Sequence, residues 1–197
     1  MAAVRTAGLA LVLAAVFGCA SWRSKVDPHT LRYEGTARAQ APGSAKRLLL
    51  TIAAAHDTAD AASERKRLAD YQQTARRVLR ESGYFSVVET DLDRPDLELA
   101  LDIREAEHFS PVLQAVWALT AFTFPMYNRV DISARGGFYS GSGEKLCDIA
   151  VDQSVSAILS TLLLPALPSY FIVQKAARED LFESALGQLL ESQARWH

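Results

Sequence analysis

The sequence predicts an α+β domain: a mixed, mainly antiparallel five-stranded sheet in the order β-α-β-β-β-β-α, with helices packed on it and two apolar excursions at one end. Three observations carry that expectation. Apolar residues alternate at period two over 96–104 and 129–138, the pattern of half-buried strands. They recur at helical spacing over 61–82 and 174–193. Two uncharged stretches, 109–128 and 153–174, interrupt the regular elements.

Each element follows from its residues. Residues 46–55 (KRLLLTIAAA) are apolar on both faces, as in a central strand covered on each side. The turn at 56–60 leads into a helix over 61–82. There Leu68, Tyr71, Ala75, Val78 and Leu79 share a stripe, while Arg65, Lys66, Asp70, Gln73 and Arg77 face outward. Gly83 ends it, because a left-handed residue at that point costs glycine little. A short strand over 84–90 completes a strand–helix–strand crossover, which makes its two strands parallel. After a turn at 91–95, Leu97, Leu99, Leu101 and Ile103 alternate with Glu98, Ala100, Asp102 and Arg104. Val130, Ile132, Ala134 and Phe138 repeat the pattern. Ser140-Gly141-Ser142-Gly143 forms a hairpin loop, 145–152 returns, and a helix over 174–193 closes the domain.

The first 18 residues follow an export plan: Arg5, then an apolar run from Ala7 to Phe17 that is short for a membrane span, which needs about 20 residues. Val16-Phe17-Gly18-Cys19-Ala20-Ser21 resembles the lipobox of bacterial lipoproteins, in which the cysteine is diacylated and becomes the mature N-terminus. Phe17 departs from the small residue usual there. The resemblance implies removal of residues 1–18 as a signal peptide and a lipid, palmitate among its acyl chains, on Cys19. Ala20 after the cysteine implies sorting to the outer membrane, facing the periplasm. The alternative is ordinary cleavage after Ala20, releasing a soluble chain from Ser21. Residues 19–45 read as the lipidated N-terminus and a flexible tether, and 46–197 as a single domain. The helix ending Glu81-Ser82-Gly83-Tyr84-Phe85-Ser86-Val87-Val88 is distantly similar to small α/β domains of envelope lipoproteins, such as penicillin-binding-protein activators and curli-secretion lipoproteins. That likeness covers about a third of the chain and carries no functional residue with it.

Composition narrows the partners. The formal net charge is −2, and loss of residues 1–18, whose one charged side chain is Arg5, lowers it to −3. A weakly acidic chain has no electrostatic footprint for nucleic acid or anionic lipid, so membrane affinity must come from apolar area or a covalent anchor. Of the two cysteines, Cys19 is taken by the lipid and Cys147 reads as a small buried apolar residue.

The two apolar stretches are the main functional signal. Pro125 lies near the end of the first, and Pro165 and Pro168 divide the second, so both read as helix–turn excursions rather than straight spans. The turn at 91–95 is expected to reverse the chain, so that tether and both excursions emerge at one end of the sheet, the end nearest a membrane. Trp117, Phe122, Phe124, Tyr127, Tyr170 and Phe171 lie in or beside them and suit a boundary between apolar and wet surroundings. Three readings stay open: ordinary core, a platform on the membrane, or an interface with an envelope protein or a second copy of the chain.

Catalytic signals are sparse. His29, His56, His108 and His197 are scattered without metal-ligand spacing. Glu105, Glu107 and His108 lie together at a strand end and read as a solvated charged edge in preference to a cation site, and Asp91, Asp93 and Asp96 as turn residues. Gly141-Ser142-Gly143 fits neither a nucleophile elbow nor a phosphate loop. No catalytic residue, metal or cofactor is expected. The sequence points to a structural or accessory envelope lipoprotein. Its alternative is a carrier whose two segments enclose an apolar ligand, in a cavity lined by Trp117 and Phe122.

Overall fold

The computed structural model describes residues 21–25, 46–56, 61–108, 110–120, 126–159 and 167–194. The elements are β1 (Ser21–Lys25), β2 (Lys46–His56), α1 (Ala61–Glu81), β3 (Phe85–Glu89), β4 (Leu97–His108), α2 (Pro111–Leu119), β5 (Met126–Ser140), β6 (Lys145–Leu159) and α3 (Leu167–Ala194). The α+β class and the mixed, mainly antiparallel sheet are as the sequence predicts. From residue 46 onward the five strands stand in the expected order, and β1 adds a sixth at the edge, giving β1-β6-β5-β4-β2-β3.

Period two decides which face is buried. Leu48, Leu50 and Ile52 of β2, Leu97 to Ile103 at odd positions of β4, and Val130, Ile132 and Ala134 of β5 all point to one face and are buried. Onto that face pack Tyr71, Ala75, Val78 and Leu79 of α1 and Ala177, Leu181, Phe182, Ala185, Leu186 and Leu189 of α3. Gly83, at φ +78°, terminates α1 as expected. Among the described residues, the core helices α1 and α3 pack on that face and not on the opposite one. The expectation that β2 is covered on both sides fails, because its outward positions are Arg47, Leu49, Thr51, Ala53 and Ala55, all exposed except half-buried Leu49. Alanine and threonine offer too little apolar area to require cover. Cross-strand polar pairs occupy this open face: Thr51 donates to Glu98 at 3.1 Å, and Arg135 holds Asp152 through both carboxylate oxygens at 2.8 and 2.9 Å.

Strand direction differs from the sequence reading at one point. β4 is parallel to β2, with Leu48 opposite Leu97 and His56 opposite Glu105, so the link over 90–96 crosses β2 instead of reversing the chain. The link is pinned to the start of β2: the Arg47 amide donates to the Asp96 carboxylate at 2.7 Å, and the Arg47 guanidinium donates to the Arg94 carbonyl. Arg94 takes a left-handed φ of 52° to make this path. The consequence is topological. β4 and β6 both finish at the end of the sheet opposite Lys46, and that is where α2 leaves and α3 begins.

Three strands are longer than expected. β4 continues through Glu105 to His108, β5 starts at Met126, and β6 runs on to Leu159. The second apolar stretch is therefore not an excursion throughout. Its first seven residues complete β6, with Val155 and Ala157 in the core, and its last part opens α3, with Pro168 in the first turn, where its missing N–H has no helical partner to lose. Gln153 falls among these inward positions. With its amide turned to suit both groups, it donates to the Ala177 carbonyl at 2.8 Å and accepts from the Leu181 amide at 3.2 Å. On the free edge of β6, Gln188 of α3 accepts from the Ala150 amide and donates to its carbonyl, both at 3.0 Å, doing for that residue what a neighbouring strand would do.

The expected tether is also corrected in part. Ser21–Lys25 is a strand, antiparallel to β6, with Ser21 opposite Ala157 and Lys25 opposite Ser154. The signal peptide, Cys19 and the remainder of the tether over 26–45 lie outside the described residues.

Candidate functional site: the apolar end of the sheet

α2 forms for local reasons. Ser110 is its N-cap, in extended conformation, with its hydroxyl accepting from the Leu113 amide and its carbonyl accepting from Gln114 at 2.9 Å. Pro111 sits in the first turn, where proline fits. Thr120 closes the other end, its amide and hydroxyl both donating to the Val116 carbonyl. The helix has no charged residue and no buried one. Val112 is 72% exposed and Leu119 87% exposed. A nine-residue helix is marginal alone in water, and one that is apolar all round is ordinarily covered. α2 touches the rest of the protein chiefly at β5.

Beside it, the first turns of α3 add Phe171, 64% exposed, and Ile172, 66% exposed. α3 descends from this end, since Gln153 meets Ala177 and Leu181 while Ala150, lower on β6, meets Gln188. Tyr127 is exposed on the open face of β5, with its hydroxyl 2.9 Å from Ser156 Oγ. Of the sequence-nominated contact residues, the structure brings Trp117 (half-buried on α2), Tyr127 and Phe171 to this one end. Tyr170 is in the first turn of α3, with its side chain outside the described residues, as are Phe122 and Phe124. Cys19 lies outside as well, but β1 begins two residues after it at this same end. The expectation that residue 46 and both apolar segments share one end is overturned, because β4 runs parallel to β2. Residue 46, where the expected tether meets the domain, is at the far end, and β1 brings the N-terminal segment back.

β1 is tied to the body by a charge pair. The Arg23 guanidinium contacts the Asp180 carboxylate, which is buried on the face of α3 that meets the sheet. Sequence reasoning missed both residues, since a lone arginine in an edge strand and an aspartate in a long helix have no distinguishing pattern.

Two polar clusters lie below this end. On the helix-covered face, Glu105 is 6% exposed. It accepts from Tyr71 Oη at 2.5 Å, from Arg67 at 2.6 Å and from Arg178 at 3.4 Å, while the Arg178 guanidinium lies 5.1 Å from the Tyr71 ring centre. Burial first, then the Glu105 charge, push the Tyr71 phenol well above its ordinary range, so its hydroxyl stays a donor. The reading of Glu105 as a solvated edge residue is thus wrong. The signal was in the sequence: Glu105 is in phase with Leu97, Leu99, Leu101 and Ile103. Beyond it, α1 and α3 border a cleft of about 450 Å³ lined by Asp70, Arg77, Phe171, Lys175 and Arg178 among others.

On the open face, Asp131 holds His108 Nε2 at 3.0 Å, Ser154 Oγ at 2.5 Å and Arg129 Nε at 2.7 Å. Burial raises its carboxyl, but the bonds from Ser154 and Arg129 and the nearby positive charges outweigh that and leave it below its usual value. Serine, aspartate and histidine meet here without the order that nucleophilic catalysis requires, because Ser154 and His108 each bond the carboxylate rather than one another. Glu105 and His108 point to opposite faces of β4, so they do not converge on a cation. Among the described residues, no cluster of histidine, cysteine, aspartate and glutamate could hold a metal.

No protein-family model and no curated protein matches the chain. Solved structures do. A neuraminyllactose-binding hemagglutinin homolog from Helicobacter pylori aligns with TM-score 0.47 and 11% identity, over 77% of this chain and 90% of that one. A minor lipoprotein from Acinetobacter baumannii gives 0.39 and 11%, over 76% and 94%. A PelC dodecamer from Paraburkholderia phytofirmans gives 0.34 and 9%, over 76% and 91%. At scores below 0.5 these likenesses decide nothing about function.

Proposed function

We propose that the chain is a lipid-anchored cell-envelope protein, acylated on Cys19, with a non-enzymatic structural or accessory role. Its apolar end, made by α2 and the start of α3, faces a membrane or a protein partner. The observation that supports this is the position of β1: it starts at the end of the sheet where α2 presents a helix without a buried residue. An anchor and an uncovered apolar surface at one end serve one interface; at opposite ends they would need two. The periplasmic face of the outer membrane is the site that Ala20 after the cysteine favours. Among the described residues no helix is long and apolar enough to cross a membrane, so the reading relies on the covalent lipid.

The test is the intact mass and membrane fractionation of the wild-type chain beside Cys19→Ser, both made in a bacterial host. The proposal expects a wild-type mass that begins at Cys19 and carries acyl chains, with both the mass increment and sedimentation with membranes lost in the variant. A wild-type chain that begins at Ser21 without lipid would sink it.

A further inference from the structure

We propose that the apolar end of this protein rests directly in the bilayer interface, held there by the single residue between Cys19 and β1, and does not stand off on a tether. This rests on the anchor reading above and names which of its two partners occupies the surface. The chain outside the structure ends at residue 20, and Ser21 is already paired opposite Ala157. Two peptide units span at most about 7.6 Å, so the α-carbon of an acylated Cys19 lies within that distance of Ser21, which is paired two residues short of the end of β6. The headgroup layer of one leaflet is itself about 5–8 Å deep. A cysteine whose acyl chains enter the hydrocarbon therefore leaves Ser21 at headgroup level.

The strand offers no hinge that would let the body swing away. Residues 21–23 pair in register with β6, the register shifts before Lys25 pairs with Ser154, and Arg23 is held by Asp180 on α3. α2 and the first turns of α3 lie at this end, presenting Val112, Leu119, Phe171 and Ile172 to the outside. The remaining gap is thinner than one helix with its side chains, about 10 Å across. No folded protein fits beneath the end; lipid does. The charge placement agrees with lipid: α2 carries none, and the first charged side chain after Phe171 and Ile172 is Lys175, one turn toward the body, its exposed ammonium 3.9 Å from the Glu179 carboxylate. Residues 26–45 follow β1 in the chain, so they are not the link between Cys19 and the sheet.

The experiment uses the full acylated chain carrying Trp22→Phe and Trp196→Phe, which leaves Trp117 of α2 as its one tryptophan. It is reconstituted in phosphatidylcholine vesicles with plain or brominated acyl chains, and each sample is weighed by mass spectrometry. Brominated lipid is expected to quench Trp117 emission at least about twofold. A 20-residue glycine–serine spacer inserted after Ala20 is expected to remove about half or more of that quenching, because the body is then free to leave the surface. Equal emission in the two kinds of vesicle from a chain that carries its acyl mass overturns the proposal and leaves the anchor standing. Quenching that the spacer does not change overturns the role given to the short link. A chain without acyl mass refutes the anchor, and the proposal with it.

Discussion

Replacing Glu105 by alanine is the sharpest stability test of the interior. The carboxylate is buried and accepts from Tyr71, Arg67 and Arg178, so its loss leaves a tyrosine hydroxyl enclosed without its acceptor and two guanidinium groups without their shared anion. Breaking a buried charged network by removing one partner costs about 3–5 kcal/mol. Here the two arginine side chains keep 27% and 21% of their surface in water and can recover part of their solvation, which places the loss near the lower figure, about 3 kcal/mol. For a chain of this size that corresponds to a fall in Tm of about 6–12 °C. Tyr71→Phe removes one donor and leaves both arginines on the carboxylate, a loss of about 1–2 kcal/mol. The double variant is expected to fall short of the sum by about 1 kcal/mol, since both changes remove the same hydrogen bond. Equilibrium urea unfolding measures all three. A Glu105→Ala loss below about 1 kcal/mol would refute the reasoning and return Glu105 to the solvated edge.

Other consequences follow from single groups. Asp131 titrates below its unfolded value, so the stability it adds is present above about pH 4 and disappears as pH falls through its folded value; Asp131→Asn should flatten the acid limb of a stability–pH curve and leave the neutral region parallel. A Cβ on Gly136 would stand 1.9 Å from the Ala100 carbonyl oxygen of β4, so Gly136→Ala must displace paired backbone. Its expected loss is more than about 3 kcal/mol by urea unfolding, against about 1 kcal/mol for Gly83→Ala, where φ is positive but the space is open. Cys147 is half-buried against the core, and burial raises its thiol above the usual value. Alkylation of Cys147 at neutral pH is expected to be at least about tenfold slower in the native chain than in urea, as followed by mass.

The sheet and its two long helices were legible because their residues alternate with the period of the element. What escaped was decided by tertiary partners. Ser21-Trp22-Arg23-Ser24-Lys25 has no apolar alternation; it is a strand because β6 offers a free edge beside it and Asp180 accepts Arg23. The link over 90–96 has the composition of a reversing turn, yet Asp96 and Arg94 fasten it to Arg47 and send β4 parallel to β2. Gln153, Ser154 and Ser156 open the uncharged stretch that was expected to leave the sheet, but Gln153 is in phase with Ile149, Val151 and Val155 and finds its partners in the backbone of α3. Glu105 escaped for the same reason: a buried charge breaks the apolar pattern just where the alternation still holds. The apolar end was legible from the missing charges, and its relation to the N-terminus required the direction of β1.

The proposed placement of the anchor and the apolar end on one side of the protein can be read as accessibility in the membrane. In the acylated chain carrying Cys147→Ala, single cysteines at Leu119 of α2 and at Ser142 of the far hairpin are treated with a membrane-impermeant maleimide on vesicles and again in detergent. The account predicts that position 142 is labelled equally in both conditions, while position 119 is protected on vesicles and released by detergent. Equal labelling of 119 with and without the bilayer, or protection of 142 in its place, would contradict it.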